Sequence, residues 1–198
     1  MLPGASGIPV FCVAILCGLG VAPAVMGAEQ SELSTVAAVD LTRYEGRWYE
    51  VAKYPNRFQK HCARDTTADY TRRADGHIQV VNCCVQADGS VEAVQGLAKI
   101  SDPATGAKLK VSFLPAWLRW SGLGWGNYWV IGLAEDYRYA VVGEPSRQYL
   151  WILARKPKLE AADREAINAL VKSAGYDPAR LADSPQSPQL PQSPQSGH

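Results

Sequence analysis

The sequence predicts an all-β fold: an eight-stranded antiparallel up-and-down β-barrel with one C-terminal α-helix packed on the barrel. Three observations carry that expectation. Between Arg47 and Arg155, short alternating or apolar runs recur, each bounded by turn residues, which is the pattern of an antiparallel meander. After Lys156-Pro157 the apolar period changes to that of a helix. The length of 198 residues and the 47% hydrophobic share allow one domain with accessory ends.

The chain opens on an apolar run from Ile8 to Val25, interrupted by Pro9, Gly18, Gly20 and Pro23, then the small residues of Met26-Gly27-Ala28. That layout reads as a signal peptide over 1–28. Met1 to Pro9 holds no Lys or Arg, so a retained anchor is the competing reading, the run being just long enough to span a bilayer. Both imply export. Residues 29–38 read as a linker, 39–182 as the barrel domain, and 183–198 as a tail.

The eight strands are expected at 47–54, 66–73, 77–86, 91–101, 108–113, 128–133, 139–143 and 149–155. Ala74-Asp75-Gly76 and Asp88-Gly89 supply hairpin turns, because glycine adopts the positive φ that tight turns require. Asp102-Pro103-Ala104-Thr105-Gly106 supplies another. In the last third, Leu159, Ile167, Leu170, Val171 and Ala174 share one helical face, which Gly175 ends. The Ser-Pro-Gln repeats beyond Asp183 cannot bury apolar area and are expected to be disordered.

A closed barrel pairs every edge and leaves room inside for one ligand; a two-sheet sandwich is the alternative. In an up-and-down meander, alternate strand ends lie at the same end. Trp48 at the start of strand one, Asp136-Tyr137 between strands six and seven, and Arg155 at the end of strand eight therefore converge. The loops 55–64, 87–90, 114–127 and 144–148 form the opposite, open mouth. The third of these places Trp117, Trp120 and Trp125 in a Gly-rich connection, where a solvated loop is ordinarily polar. Such aromatics suit a lid, a portal or contact with a membrane interface, or they fold back over a barrel edge. Gly122-x-Gly124-x-Gly126 lacks the strand-to-helix setting of a phosphate loop.

A net charge of +1 gives no footprint for nucleic acid. The histidines, His61, His77 and His198, are scattered, and no Gly-x-Ser-x-Gly or metal-spaced cluster appears. A binding protein without cofactor or metal is therefore expected rather than an enzyme. Beyond the leader stand Cys62, Cys83 and Cys84, and an oxidising compartment favours one disulfide with one leftover thiol over three free thiols. Cys62 and the Cys83-Cys84 pair both lie toward the mouth, leaving either of the pair as partner. Adjacent strand residues point to opposite faces, so the pair suits metal poorly.

Asp40-Leu41-Thr42-Arg43-Tyr44 before Gly46-Arg47-Trp48-Tyr49-Glu50, then Glu135-Asp136-Tyr137, then Trp151-Ile152-Leu153-Ala154-Arg155 resembles, in order, the signatures of the lipocalins. The resemblance is to the bacterial lipocalin and apolipoprotein D branch and covers roughly residues 39–181. It implies a calyx with a structural floor of Gly46, Trp48, Asp136, Tyr137 and Arg155, the Arg155 guanidinium lying across the Trp48 indole. It implies an inward lining through Tyr70, Asn82, Phe113, Tyr128 and Trp151. It also selects Cys84 as the partner of Cys62, through an Asn-x-Cys strand end.

Such a lining suits a fatty acid or a lysophospholipid, with Asn82 and the tyrosine hydroxyls facing a head group. The expected role is binding, transport or storage of that ligand at the bacterial envelope. An interaction or membrane-contact protein working through the Trp loop is the alternative, and a lipocalin-fold enzyme or a haem binder using His61 is a further one. Many bacterial relatives carry a lipid-accepting cysteine after a small residue, whereas Phe11 precedes Cys12 and Leu16 precedes Cys17 here. A periplasmic or outer-membrane-associated protein without a lipid anchor is expected.

Overall fold

Strands with apolar side chains on both faces cannot leave either face in water. Here one sheet resolves this by curling onto itself and taking a helix on its outside. The computed structural model describes residues 32–119 and 122–188. Eight strands follow one another, β1 Gly46–Lys53, β2 Cys62–Arg72, β3 Ile78–Gln86, β4 Val91–Ile100, β5 Lys108–Ser112, β6 Gly126–Leu133, β7 Tyr139–Gly143 and β8 Leu150–Ala154. Each pairs with its neighbour in the chain, and β1 pairs antiparallel with both β2 and β8, which closes the barrel. Closure decides against the sandwich. A ninth strand, β9 (Ala182–Asp183), adds to β1 at Ala52 and Lys53.

Alternation along the strands sorts two apolar clusters. Trp48, Tyr70, Val80, Leu109, Val130 and Leu153 belong to the interior cluster. Val51, Tyr54, Ile131, Val141 and Ile152 face outward and pack against Ile167 and Val171. Those two belong to the principal helix, here α3 (Ala161–Ser173), which follows two short ones, α1 (Leu41–Tyr44) and α2 (Ala116–Arg119). Each such side chain contributes about 1.5–3 kcal/mol on burial. The helix also buries Asp163, whose carboxylate accepts from Arg138 Nε at 3.0 Å and Nη2 at 2.7 Å. It ends where Gly175 takes φ +81°, with the Tyr176 amide donating to Val171 O.

The segment after α3 is pinned to the mouth side. The Tyr176 hydroxyl accepts from the Glu144 amide at 2.9 Å and donates to its carbonyl at 3.0 Å. A Cβ at Gly143 would collide with that hydroxyl, so the close approach requires glycine there. Among the described residues no helix is long and apolar enough to cross a membrane.

The elements differ from the sequence expectation in three places. β2 begins at Cys62 rather than residue 66, because register shifts before Thr67 and a φ of +56° at Asp65 hide the period-two signal. The segment expected to be a linker is packed onto the barrel from Leu33, which is buried, and the Val36 amide donates to the carbonyl of Val130 beside a bulge in β6. The tail is not free at Asp183. Ser184 is buried, its amide donating to Val51 O, and Pro185 O accepts from the Asp65 amide. Hydrogen bonds to strand carbonyls and carboxylates, rather than apolar burial, hold residues 184–187. The leader expected at 1–28 and the remainder of the tail from 189 lie outside the described residues.

Candidate ligand-binding site in the barrel

The closed end is built around Trp48, which is wholly buried. Its Nε1 donates to Tyr44 O at 2.8 Å. Arg155 lies over the indole with Cζ 3.9 Å from the ring centroid, and its two terminal nitrogens donate to Arg47 O at 2.8 Å and Arg43 O at 2.6 Å. Gly46, at φ +88°, carries the chain into β1, and a Cβ there would lie 3.6 Å from Arg155 Nη1. Tyr137 joins this cluster indirectly, its hydroxyl accepting from the Asp40 amide at 2.8 Å while Arg43 stacks on its ring at 4.0 Å. Asp136 does not reach the indole. It accepts from the Arg138 amide and Nη1 in the hairpin outside.

Above this floor the barrel encloses a cavity of about 840 Å³, lined by apolar side chains from β2 to β6 and β8, with Glu50 from β1. All five residues expected to line it do so, namely Tyr70, Asn82, Phe113, Tyr128 and Trp151. They stand at different heights. Tyr70 and Tyr128 lie deep, where the hydroxyls of Tyr44 and Tyr70 sit 2.8 and 2.9 Å from that of Tyr128. Burial is the main cause that raises all three phenols, Tyr70 to about 12 and the other two well above the usual tyrosine value. Asn82 pairs in register with Ala68, one inward layer nearer the mouth than Tyr70. The tyrosine hydroxyls and Asn82 therefore stand at different depths of the cavity.

On the upper wall, Trp151 stacks on Tyr149 and donates from Nε1 to Gln59 Oε1 at 3.0 Å. Gln59 in turn donates to Glu50 Oε2 at 2.5 Å, and Glu50 Oε1 accepts from Lys53 Nζ at 2.7 Å and Ser184 Oγ at 2.6 Å. Glu50 is a buried carboxylate on the cavity wall. The sequence reading missed it together with Tyr44 and Gln59. A signal for Glu50 existed, since it shares inward parity with Trp48 two residues earlier.

The mouth carries the disulfide between Cys62 and Cys84, at the start of β2 and late in β3, and leaves Cys83 free. His61, Cys62 and Cys84 form the one cluster of three metal-capable donors among the described residues. Its two sulfurs are bonded to each other and are not thiolates, so the cluster does not offer a metal site. His61 Nε2 lies 2.9 Å from Glu92 Oε2. The tryptophans of the β5–β6 loop divide. Trp117 is 69% exposed, whereas Trp125 lines the cavity, donates to Arg119 O and lies under Lys99 Nζ at 4.3 Å. Trp120 lies outside the described residues.

Comparison with known proteins agrees with this architecture. Residues 39–186 match the lipocalin-like domain family. The chain is 41% identical over 164 residues to temperature-induced lipocalin-1 of Arabidopsis thaliana, covering 80% of this chain and 86% of that one. It is 35% identical over 150 residues to the outer membrane lipoprotein Blc of Escherichia coli (strain K12), covering 75% and 80%. Apolipoprotein D of Mus musculus is 32% identical over 157 residues, covering 75% and 77%. Among solved structures, insecticyanin from the tobacco hornworm Manduca sexta superposes with a TM-score of 0.61 at 21% identity, covering 79% and 85%, a likeness of fold. A closed eight-stranded barrel floored by Trp48 and Arg155, the match over 39–186 and relatives above 30% identity establish that the chain belongs to the lipocalin family.

Proposed function

We propose that this lipocalin binds a fatty acid or lysophospholipid in its barrel and moves or stores it at the bacterial envelope. Family membership carries the coarser part, binding of a small hydrophobic ligand. The observation that supports the finer part is the cavity itself. At about 840 Å³ it lies toward the upper end of the range of small-molecule pockets, has apolar walls, and is closed at one end by Trp48 and open at the other. That shape takes a long chain lengthwise. Similarity to the outer membrane lipoprotein Blc supports the envelope as the place of action. Mass spectrometry of organic extracts of the protein purified from its own envelope fraction tests the reading. One lipid per chain is expected, and a protein that emerges empty and fails to bind added lysophospholipid refutes it.

A second reading rests on a separate observation. Among the described residues, the exposed large apolar side chains are Phe58, Val91, Val94, Phe113, Trp117 and Leu123. All belong to mouth loops or to strand ends entering them. Gathered at one end, they suit peripheral contact with a lipid surface during ligand transfer. Co-sedimentation with vesicles tests it, and equal retention of the parent and of a Trp117→Ser, Leu123→Ser variant counts against it. The pairing of His61 with Glu92 favours a carrier over haem ligation at that residue.

A further inference from the structure

The three phenols at the bottom of the cavity present a proton-counting problem. Tyr44, Tyr70 and Tyr128 each carry one hydroxyl proton. Their oxygens make two contacts, with Tyr128 in the middle at 2.8 Å from Tyr44 and 2.9 Å from Tyr70. Two contacts use two protons. Among the described residues these hydroxyls have no further hydrogen-bond partner, so whichever way the chain of bonds runs, one O–H remains without an acceptor. Burial raises all three phenols, so each keeps its proton at any physiological pH.

A second polar atom close by has the opposite need. Asn82 Oδ1 is buried and has no hydrogen-bond partner, and the residue lines the same cavity. In the β2–β3 register Tyr70 faces Val80 and Ala68 faces Asn82. The Asn82 backbone therefore stands one inward layer above that of Tyr70, two residues or roughly 7 Å along the tilted strand. A chain ending in a methyl group would leave both the spare donor and the spare acceptor unpaired in an apolar enclosure, and each such loss costs about one hydrogen bond. A hydroxyl supplies what each lacks, an oxygen for the phenol and a proton for the amide.

Building on the reading of the barrel as a lipid carrier, we propose that its deep end is a polar subsite selecting long-chain amphiphiles hydroxylated at the end remote from the head group. The Tyr44–Tyr128–Tyr70 chain donates to that hydroxyl and Asn82 accepts from it. Trp48 closes the barrel beneath them, so the subsite is met by the leading end of the chain while the head group stays at the mouth.

The test compares two lysophosphatidylcholines, one with a plain hexadecanoyl chain and one with a 16-hydroxyhexadecanoyl chain. The phosphocholine group is too bulky and too strongly hydrated to enter the floor, so only the chain end differs there. Affinities are measured by displacement of a fluorescent lipid, and the readout is the ratio of the two. The hydroxylated lipid is expected to bind about tenfold more tightly to the parent protein. A Tyr44→Phe, Tyr70→Phe, Tyr128→Phe variant, which removes every phenolic donor of the chain, should collapse that ratio. Asn82→Leu should do the same, and it serves if the tyrosine variant does not fold. A parent ratio of one or less with both lipids bound, or a preference that survives in both variants, overturns the subsite and leaves the carrier reading standing. Binding of neither lipid overturns both.

Discussion

The hydroxyl of Ser184 donates to Glu50 Oε1 at 2.6 Å, joining the C-terminal tail to a carboxylate on the wall of the cavity. Around that bond the tail sits against a seam. β1 and β2 pair only between Gly46–Tyr49 and Thr67–Tyr70, and beyond this Gln186 Nε2 donates to both Glu50 O at 2.8 Å and Thr66 O at 2.9 Å. One side-chain amide thus bridges the two strands where their own ladder stops. Removing the Ser184 hydroxyl leaves a buried carboxylate short of one hydrogen bond. Ser184→Ala is expected to lower stability by about 1.5–3 kcal/mol in denaturant melts.

Acidification should loosen the same tail from its other anchor. Asp65 accepts from the Ser187 amide and hydroxyl and pairs with Arg64. Burial alone would raise this carboxyl, but the Ser187 bonds and the Arg64 guanidinium outweigh it and the net shift is downward. A carboxylate depressed on folding contributes fully above its unfolded value and loses that contribution as pH falls through the folded one. Hydrogen exchange at Ser187 should therefore stay protected down to the unfolded value of 3.8 and rise below it. Loss of protection nearer neutrality would point to a different anchor.

Trp48→Ala should destabilise the fold by roughly 3–5 kcal/mol, since it empties a wholly buried indole site at the barrel floor. Arg155→Ala removes the cation–π contact and two donors to backbone carbonyls. Its expected cost is smaller, about 1–3 kcal/mol. Urea melts of both variants check the order; a stable Trp48→Ala protein with normal ligand affinity would disprove the floor role.

The Cys62–Cys84 bond closes a loop with a sequence separation of 22. Replacing both cysteines by serine should cost on the order of 3 kcal/mol. Non-reducing peptide mapping of the parent should recover the Cys62–Cys84 link with Cys83 available to alkylation, and recovery of a Cys62–Cys83 link would contradict the pairing.

Trp151→Asp should weaken lipid binding while the fold persists. A carboxylate on an apolar wall must be desolvated or take up a proton, and both oppose a bound chain. Titration with a fluorescent lysolipid, beside a thermal melt, separates the two effects. If Trp151→Asp binds like the parent while a Trp117→Ser, Trp120→Ser, Trp125→Ser variant loses all affinity, the ligand sits on the loop rather than in the barrel.

The sequence by itself determined the strand count, the closing helix and the end at which Trp48 and Arg155 meet. These follow from period-two alternation, turn chemistry and counting along a meander, all short-range signals; motif resemblance added the inward parity of Tyr70, Tyr128 and Trp151 and Cys84 as the disulfide partner. The tertiary structure decided what those residues touch. Tyr44 meets Tyr128 across 84 positions, Gln59 meets Trp151 across 92, and Ser184 meets Glu50 across 134. No local pattern encodes a hydrogen bond between such distant polar groups. The bulge in β1 between Glu50 and Ala52 compounds the difficulty, because it moves the residues after Glu50 to the outer face. The docked tail shows the same limit. Composition forecasts how much apolar area Ser184-Pro185-Gln186-Ser187 can bury, but only the closed barrel creates the seam whose unpaired carbonyls those polar side chains satisfy.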